Sequence, residues 1–147
     1  MLTKIKNFLK VSSHSNFQSG ALLFLRLIVG IAFVLHGWGK IQNPFSWMPP
    51  DSGVPSIFQF LAALSEFGGG IALIFGLLTH IAMLGLAFTM LIATVMHAVV
   101  MQDPFVNMTG GKSFEPALGY LGIATLIFAM GPGKFSLDKI IFGTKTQ

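Results

Sequence analysis

Five side chains that can move a proton or hold an ion stand within or at the ends of long apolar runs: Arg26, His36, Glu66, His97 and Glu115. Placing a charge in hydrocarbon costs at least about 2.5–3.5 kcal/mol on insertion scales, so each needs a partner, a wet cavity or a neutral state. Imidazoles accept, donate and relay protons near neutral pH, a carboxylate accepts them, and a neighbouring cation holds a carboxylate ionised. In Leu35-His36-Gly37-Trp38-Gly39-Lys40 an apolar run closes with an imidazole, two glycines and an ammonium. Within it His36 reads as part of an interior polar site. Lys40 reads as a boundary residue whose ammonium snorkels to the headgroups. His14 and His80 fall in polar or connecting segments and are set aside.

Spacing predicts which of these groups meet. With Lys40 as the outer end of its helix and a rise of ~1.5 Å per residue, Arg26 lies about 21 Å down and His36 about 6 Å down. Counted from Ser56, Glu66 lies about 15 Å down; counted from Met101, His97 lies about 6 Å down. The long side chains of Arg26 and Glu66 span that difference, which predicts a buried ion pair. His36 and His97 share a level near the outer surface, where Glu115 enters at the top of its own helix. Arg26, Gly30, Phe33, Gly37 and Lys40 line one face of the first helix, and Gly69, Gly70 and Gly76 of the second permit close helix contact.

The elements that position these groups are membrane spans. The chain has 147 residues, 53% of them hydrophobic and 10% charged, against roughly 25% charged in a soluble globule. Four apolar runs, Gly20–Trp38, Ser56–Leu78, Ile81–Met101 and Phe114–Met130, are each near the ~20 residues that cross about 30 Å of hydrocarbon. Backbone in lipid must satisfy its own hydrogen bonds, so the fold class is all-α, an integral membrane four-helix bundle in a single domain over residues 1–147.

Lys4, Lys6 and Lys10 precede the first run and Lys134, Lys139 and Lys145 follow the last, which puts both termini in the cytoplasm. The first run is too long and begins too late for a signal peptide, and no small-x-small cleavage site follows it. The tight connection at Leu78-Thr79-His80 makes the second and third helices an antiparallel hairpin, and the two longer loops face outward. Residues 135–143, and the stretch Met1–Lys10, read as short amphipathic helices on the membrane surface. The formal charge of +4 comes largely from the tails and forms no stripe with stacking aromatics, so nucleic acid is not expected as a partner. With no cysteine, thiolate ligands, thiol nucleophiles and disulfides within this chain are excluded.

Two outward-running helices end alike, in Gln42-Asn43-Pro44-Phe45 and Gln102-Asp103-Pro104-Phe105, and each is followed by a helix with one glutamate. This pattern suggests two helix hairpins related by a pseudo-two-fold along the membrane normal. Phe45, Trp47, Met48, Phe105 and Met108 suit a lid in the outer interface.

The run Leu25-Arg26-Leu27 through Leu35-His36-Gly37-Trp38-Gly39-Lys40, with Glu66-Phe67-Gly68-Gly69-Gly70, Gly76-Leu77-Leu78-Thr79 and Gly131-Pro132-Gly133-Lys134-Phe135-Ser136-Leu137-Asp138, resembles the DoxX family of small four-helix membrane proteins. The resemblance covers about residues 20–142. It implies a multi-pass protein of the bacterial cytoplasmic (inner) membrane, related to the membrane subunit of thiosulfate:quinone oxidoreductase. Arg26, His36, Lys40 and Glu66 fall on the family's recurrent polar positions; His97 and Glu115 are added from depth. Function still belongs to the site rather than the fold.

The leading expectation is a quinone-linked oxidoreductase subunit with an outward-opening site. In it His36, His97 and Glu66 are the catalytic candidates, while Arg26, Lys40 and Glu115 bind substrate or cofactor. Quinone is the expected cofactor, and membrane lipids and an exported redox protein are the expected partners. The alternative is a non-catalytic protein that binds or transports a small amphiphile or lipid, or scaffolds a partner. A metal site of His36, His97 and Glu115 is the third reading, and it requires ligands at about 2.0–2.2 Å for zinc.

Overall fold

A computed structural model describes residues 13–143. The amphipathic segment expected within residues 1–10 lies outside the described residues. Helix α1 spans Asn16–Gln42 and begins at a capping box, in which the Ser15 hydroxyl accepts from the Gln18 N–H and the Gln18 side chain accepts from the Ser15 N–H. Helix α2 runs from Ser56 to Phe75 and α3 from Thr79 to Val100. Helix α4 covers Glu115–Met130, and α5 covers Leu137–Phe142 within the segment expected to be amphipathic.

Three helices, α1 to α3, are long and apolar enough to cross a membrane; α4, with 16 residues, is shorter. The bundle is all-helical among the described residues, and the expected α2–α3 hairpin is present. Its turn places Gly76 at φ +63° and Leu78 at φ +48°, so α2 ends three residues earlier than Leu78. Phe24, Leu35, Phe88 and Leu84 point outward and are exposed, as lipid-facing residues must be. Val29, Phe33, Leu73, Met83, Leu86, Met90, Ala124 and Ile127 form the buried core between the helices.

Close approach of α1 and α2 sets the register of the bundle. A Cβ on Gly30 would lie 2.9 Å from the Gly70 carbonyl oxygen, and one on Gly37 would lie 2.5 Å from the Phe67 nitrogen. Only glycine admits backbone this near, so Gly37 is held level with Phe67. The outer end of α2 therefore projects beyond Lys40, and the two helix starts used to estimate depth are not at one height.

This offset corrects the predicted Arg26–Glu66 pair. Arg26 faces the other end of α2, where a Cβ on Gly76 would lie 2.8 Å from the Arg26 guanidinium carbon. Ten residues separate Gly76 from Glu66, about 15 Å of helix. The buried guanidinium donates instead to main-chain carbonyls: from Nε to Leu73 (3.0 Å), from Nη1 to Pro132, and from Nη2 to Phe135 (3.0 Å) and Ile74 (3.4 Å). Leu73 and Ile74 belong to the last turn of α2, whose carbonyls lack the regular partner four residues on; the Gly76 N–H reaches Leu73 (3.1 Å), Arg26 adds its donors to both, and no water is available in hydrocarbon to replace them.

The same end is closed by the Gly131–Asp138 segment. The buried Asp138 carboxylate accepts from the N–H groups of Leu78 (2.7 Å) and Thr79 (2.8 Å), while its own N–H donates to the Gly76 carbonyl (2.8 Å). Lys134 donates from its backbone N–H to the Ser19 hydroxyl and from Nζ to Asn16. Both described ends of the chain thus lie at one end of the bundle, which the lysine distribution assigns to the cytoplasm.

Candidate functional site

Two π turns shape the opposite end. One, Leu64–Gly68, interrupts α2 and carries Glu66; the other, Met96–Val100, ends α3 and carries His97. A π turn adds a residue to one turn of helix and so re-aims the side chains on it. Each brings an ionisable group to a cavity of about 390 Å³ above the apolar core. Phe33 and Met90, which belong to both core and cavity, form its floor. His36, Lys40, Glu66, His97 and Tyr120 line it with Ala93 and Ala117, and Gly111, Lys112 and Ser113 border it from the second outer loop.

Glu66 is buried and Lys40 is its partner. Lys40 Nζ donates to both carboxylate oxygens, at 2.6 and 2.7 Å. This corrects the reading of Lys40 as a snorkelling boundary residue. Helical side chains lean towards the helix N-terminus, and on an outward-running helix that is down into the membrane. Lys40, one turn beyond Gly37, therefore leans back to the level of Phe67, next to Glu66.

The first outer loop covers this pair. The Lys40 ammonium lies 4.6 Å from the centre of the Trp47 ring, a cation–π contact, and Trp47 Nε1 donates to the Gln59 carbonyl (2.9 Å). Buried Gln59 also accepts from the Met48 N–H (3.0 Å) and donates to the Val54 carbonyl (2.9 Å). Phe45 stacks on Phe60 at 5.0 Å. Trp47 is thus fixed over the ion pair by α2 itself.

The other wall is aromatic. The Tyr120 ring lies 5.0 Å from Phe33 and 6.4 Å from His36, the latter edge-on. His97 Nδ1 is 2.7 Å from Asp103 Oδ2. The lining brings together donors and acceptors of both charges beside flat apolar surface, the composition of a small-molecule site, and its volume falls in the usual range of about 300–1,000 Å³.

Of the expected site residues, the cavity brings together His36, Lys40, Glu66 and His97. Arg26 does not reach it. Glu115 does not line it either: it is exposed at the start of α4, with its backbone N–H on the Phe105 carbonyl (3.1 Å). The His36–His97–Glu115 metal arrangement fails for that reason, and the described residues contain no group of three or more His, Cys, Asp or Glu able to hold a metal.

The matching tetrapeptides also differ. The Asn43 N–H closes on the Lys40 carbonyl, whereas the Asp103 N–H reaches back six residues to the His97 carbonyl. Tyr120 and Asp103 were missed by sequence reasoning. Tyr120 is the single tyrosine in the chain, which was a signal; Asp103 was visible only as part of a supposed repeat.

Comparison with known proteins agrees with this architecture. The DoxX family model matches residues 21–98. The chain is 33% identical over 123 residues to the "Inner membrane protein YqjF" of Escherichia coli (strain K12), covering 82% of this chain and 91% of that protein. It is 32% identical over 136 residues to the "Putative oxidoreductase CatD" of Bacillus subtilis (strain 168), covering 90% and 94%. No solved structure matches. Extended over α1, α2 and nearly all of α3, with two relatives matched along almost their whole length, this similarity makes the chain a multi-pass inner-membrane protein and a member of the DoxX family.

Proposed function

We propose that the outer cavity binds the head of a membrane quinone and that the chain is the membrane subunit of a quinone-linked oxidoreductase system. The observation that carries this reading is the pairing, in one cavity, of a flat aromatic wall with groups that donate, accept and exchange protons. Phe33 and Tyr120 supply surface for a ring. Lys40 and the Tyr120 hydroxyl supply donors to ring oxygens, and the imidazoles of His36 and His97 donate or accept according to tautomer. The name of the Bacillus relative supports an oxidoreductase role.

A bound quinone would contribute two-electron, two-proton chemistry, and the electrons would pass to or from an exported redox protein docked on the outer face. The residues of this chain bind, orient and handle protons. Lys40 holds the Glu66 carboxylate in place and keeps a cation beside the ring oxygens; His36 stands edge-on to Tyr120 at the rim and exchanges protons with the outer loops.

The test is to purify the protein in mild detergent and identify bound small molecules by mass spectrometry, comparing wild type with His36→Ala. Quinone in the wild type and its loss in the variant supports the reading. Absence of quinone, or equal retention by both, favours a non-catalytic protein that holds a lipid or another amphiphile.

A further inference from the structure

Asp103 is held against His97 by an unusual backbone. The Met101 N–H closes the π turn on the Met96 carbonyl (2.8 Å), and Gln102 then takes φ +56°, a left-handed conformation uncommon outside glycine, asparagine and aspartate. That reversal lets the Asp103 N–H donate to the His97 carbonyl (2.9 Å) while its carboxylate meets the ring of the same residue. The next residues are pinned to the start of α4, through Phe114 N–H on the Pro104 carbonyl (3.3 Å) and Glu115 N–H on the Phe105 carbonyl (3.1 Å). A strained residue persists where the surroundings over-determine it, and here its consequence is one carboxylate on one imidazole nitrogen.

A carboxylate can only accept, so a neutral imidazole bonded to it carries its proton on Nδ1 and leaves Nε2 bare. We propose that Asp103 is a positioning residue that fixes His97 in this tautomer, so that the cavity offers Nε2 as an acceptor and selects an aromatic hydroxyl over the same ring bearing an ether or carbonyl oxygen. The charged and titratable groups facing His97 across the cavity are Lys40 and His36 of α1, Glu66 of α2, Lys112 of the second outer loop and Tyr120 of α4. Both Glu66 oxygens already accept from Lys40, and of the two imidazoles that line the cavity His97 is the one a carboxylate holds in a single tautomer. The inference rests on the proposed quinone site only for its natural ligand, which becomes the hydroxyl-bearing, reduced form of the ring.

The experiment uses the full chain in lipid nanodiscs, at a pH where the nitrogen spectrum shows the His97 ring neutral. Nitrogen NMR of the histidines, with His97→Gln for assignment, reads which ring nitrogen carries the proton. Calorimetry against para-heptylphenol and its methyl ether, with empty nanodiscs subtracted, reads ligand preference. The expected result is a proton on Nδ1 and about tenfold tighter binding of the phenol, equivalent to about 1.4 kcal/mol. In Asp103→Asn the amide donates to Nδ1, the proton moves to Nε2, and the preference disappears.

A proton on Nε2 in the wild type overturns the proposal; so does equal binding of phenol and ether, or binding of neither. Should Asp103→Asn fail to fold, the wild-type tautomer and preference decide alone. Binding of a short-chain ubiquinone and its reduced form is measured separately. Its absence, with the phenol preference intact, removes the quinone reading and leaves the role of Asp103 standing.

Discussion

The two ends of the bundle use polar residues in opposite ways. At the inner end Arg26 and Asp138 bond to main-chain groups: the guanidinium satisfies carbonyls of α2 and of the Pro132–Phe135 segment, and the carboxylate satisfies the first N–H groups of α3. At the outer end Lys40, Glu66, His97 and Asp103 bond side chain to side chain around a cavity. A buried arginine that completes a helix terminus has its donors committed to holding the fold. A lysine paired with a carboxylate can exchange that partner for a ligand. An ionisable group in an apolar run is therefore a structural ion in one place and an available one in the other.

The largest effects are expected at the helix contact that sets the register of both ends, and then at the inner end. Gly37→Val would force a Cβ against Phe67 backbone, which cannot give way as a flexible side chain does. Overpacking costs about 1–3 kcal/mol and more where backbone must move, so this variant is expected to show the largest fall in thermal stability in detergent. Arg26→Met comes next. It leaves the Pro132 and Phe135 carbonyls without their Arg26 donor, at about 3 kcal/mol together, while the Leu73 carbonyl keeps the Gly76 N–H (3.1 Å); an unchanged melting temperature would remove the clamp.

At the outer end the effects are smaller and partly recoverable. Glu66→Gln or Lys40→Met alone is expected to cost about 2 kcal/mol by leaving its partner charge without a counter-ion, and the double substitution to restore part of that loss. Additive losses in such a double-mutant cycle would show that the two residues are not coupled. The smallest stability effect is expected for His36→Ala, within about 0.5 kcal/mol of wild type because the ring is exposed at the cavity rim. Its effect should appear in bound ligand instead. A large destabilisation by His36→Ala, or ligand loss on Arg26→Met without loss of stability, would invert the assignment of the two ends.

The sequence by itself determined the membrane spans, the α2–α3 hairpin, the common side of both chain ends and the family, because these depend on sums: apolar residues over a window, lysines over a flank, glycines in a turn. It also marked His36, Lys40, Glu66 and His97 as worth watching, since an ionisable group in hydrocarbon is conspicuous wherever it points. Which groups meet was decided only by the tertiary structure. Hydropathy does not register the axial offset between neighbouring helices, and that offset, set where Gly30 meets Gly70 and Gly37 meets Phe67, gives Glu66 to Lys40 and sends Arg26 to the end of α2. The π turns at Glu66 and His97 and the reversal at Gln102 likewise leave no periodic trace, because each changes the aim of a side chain without changing the length or apolarity of its helix.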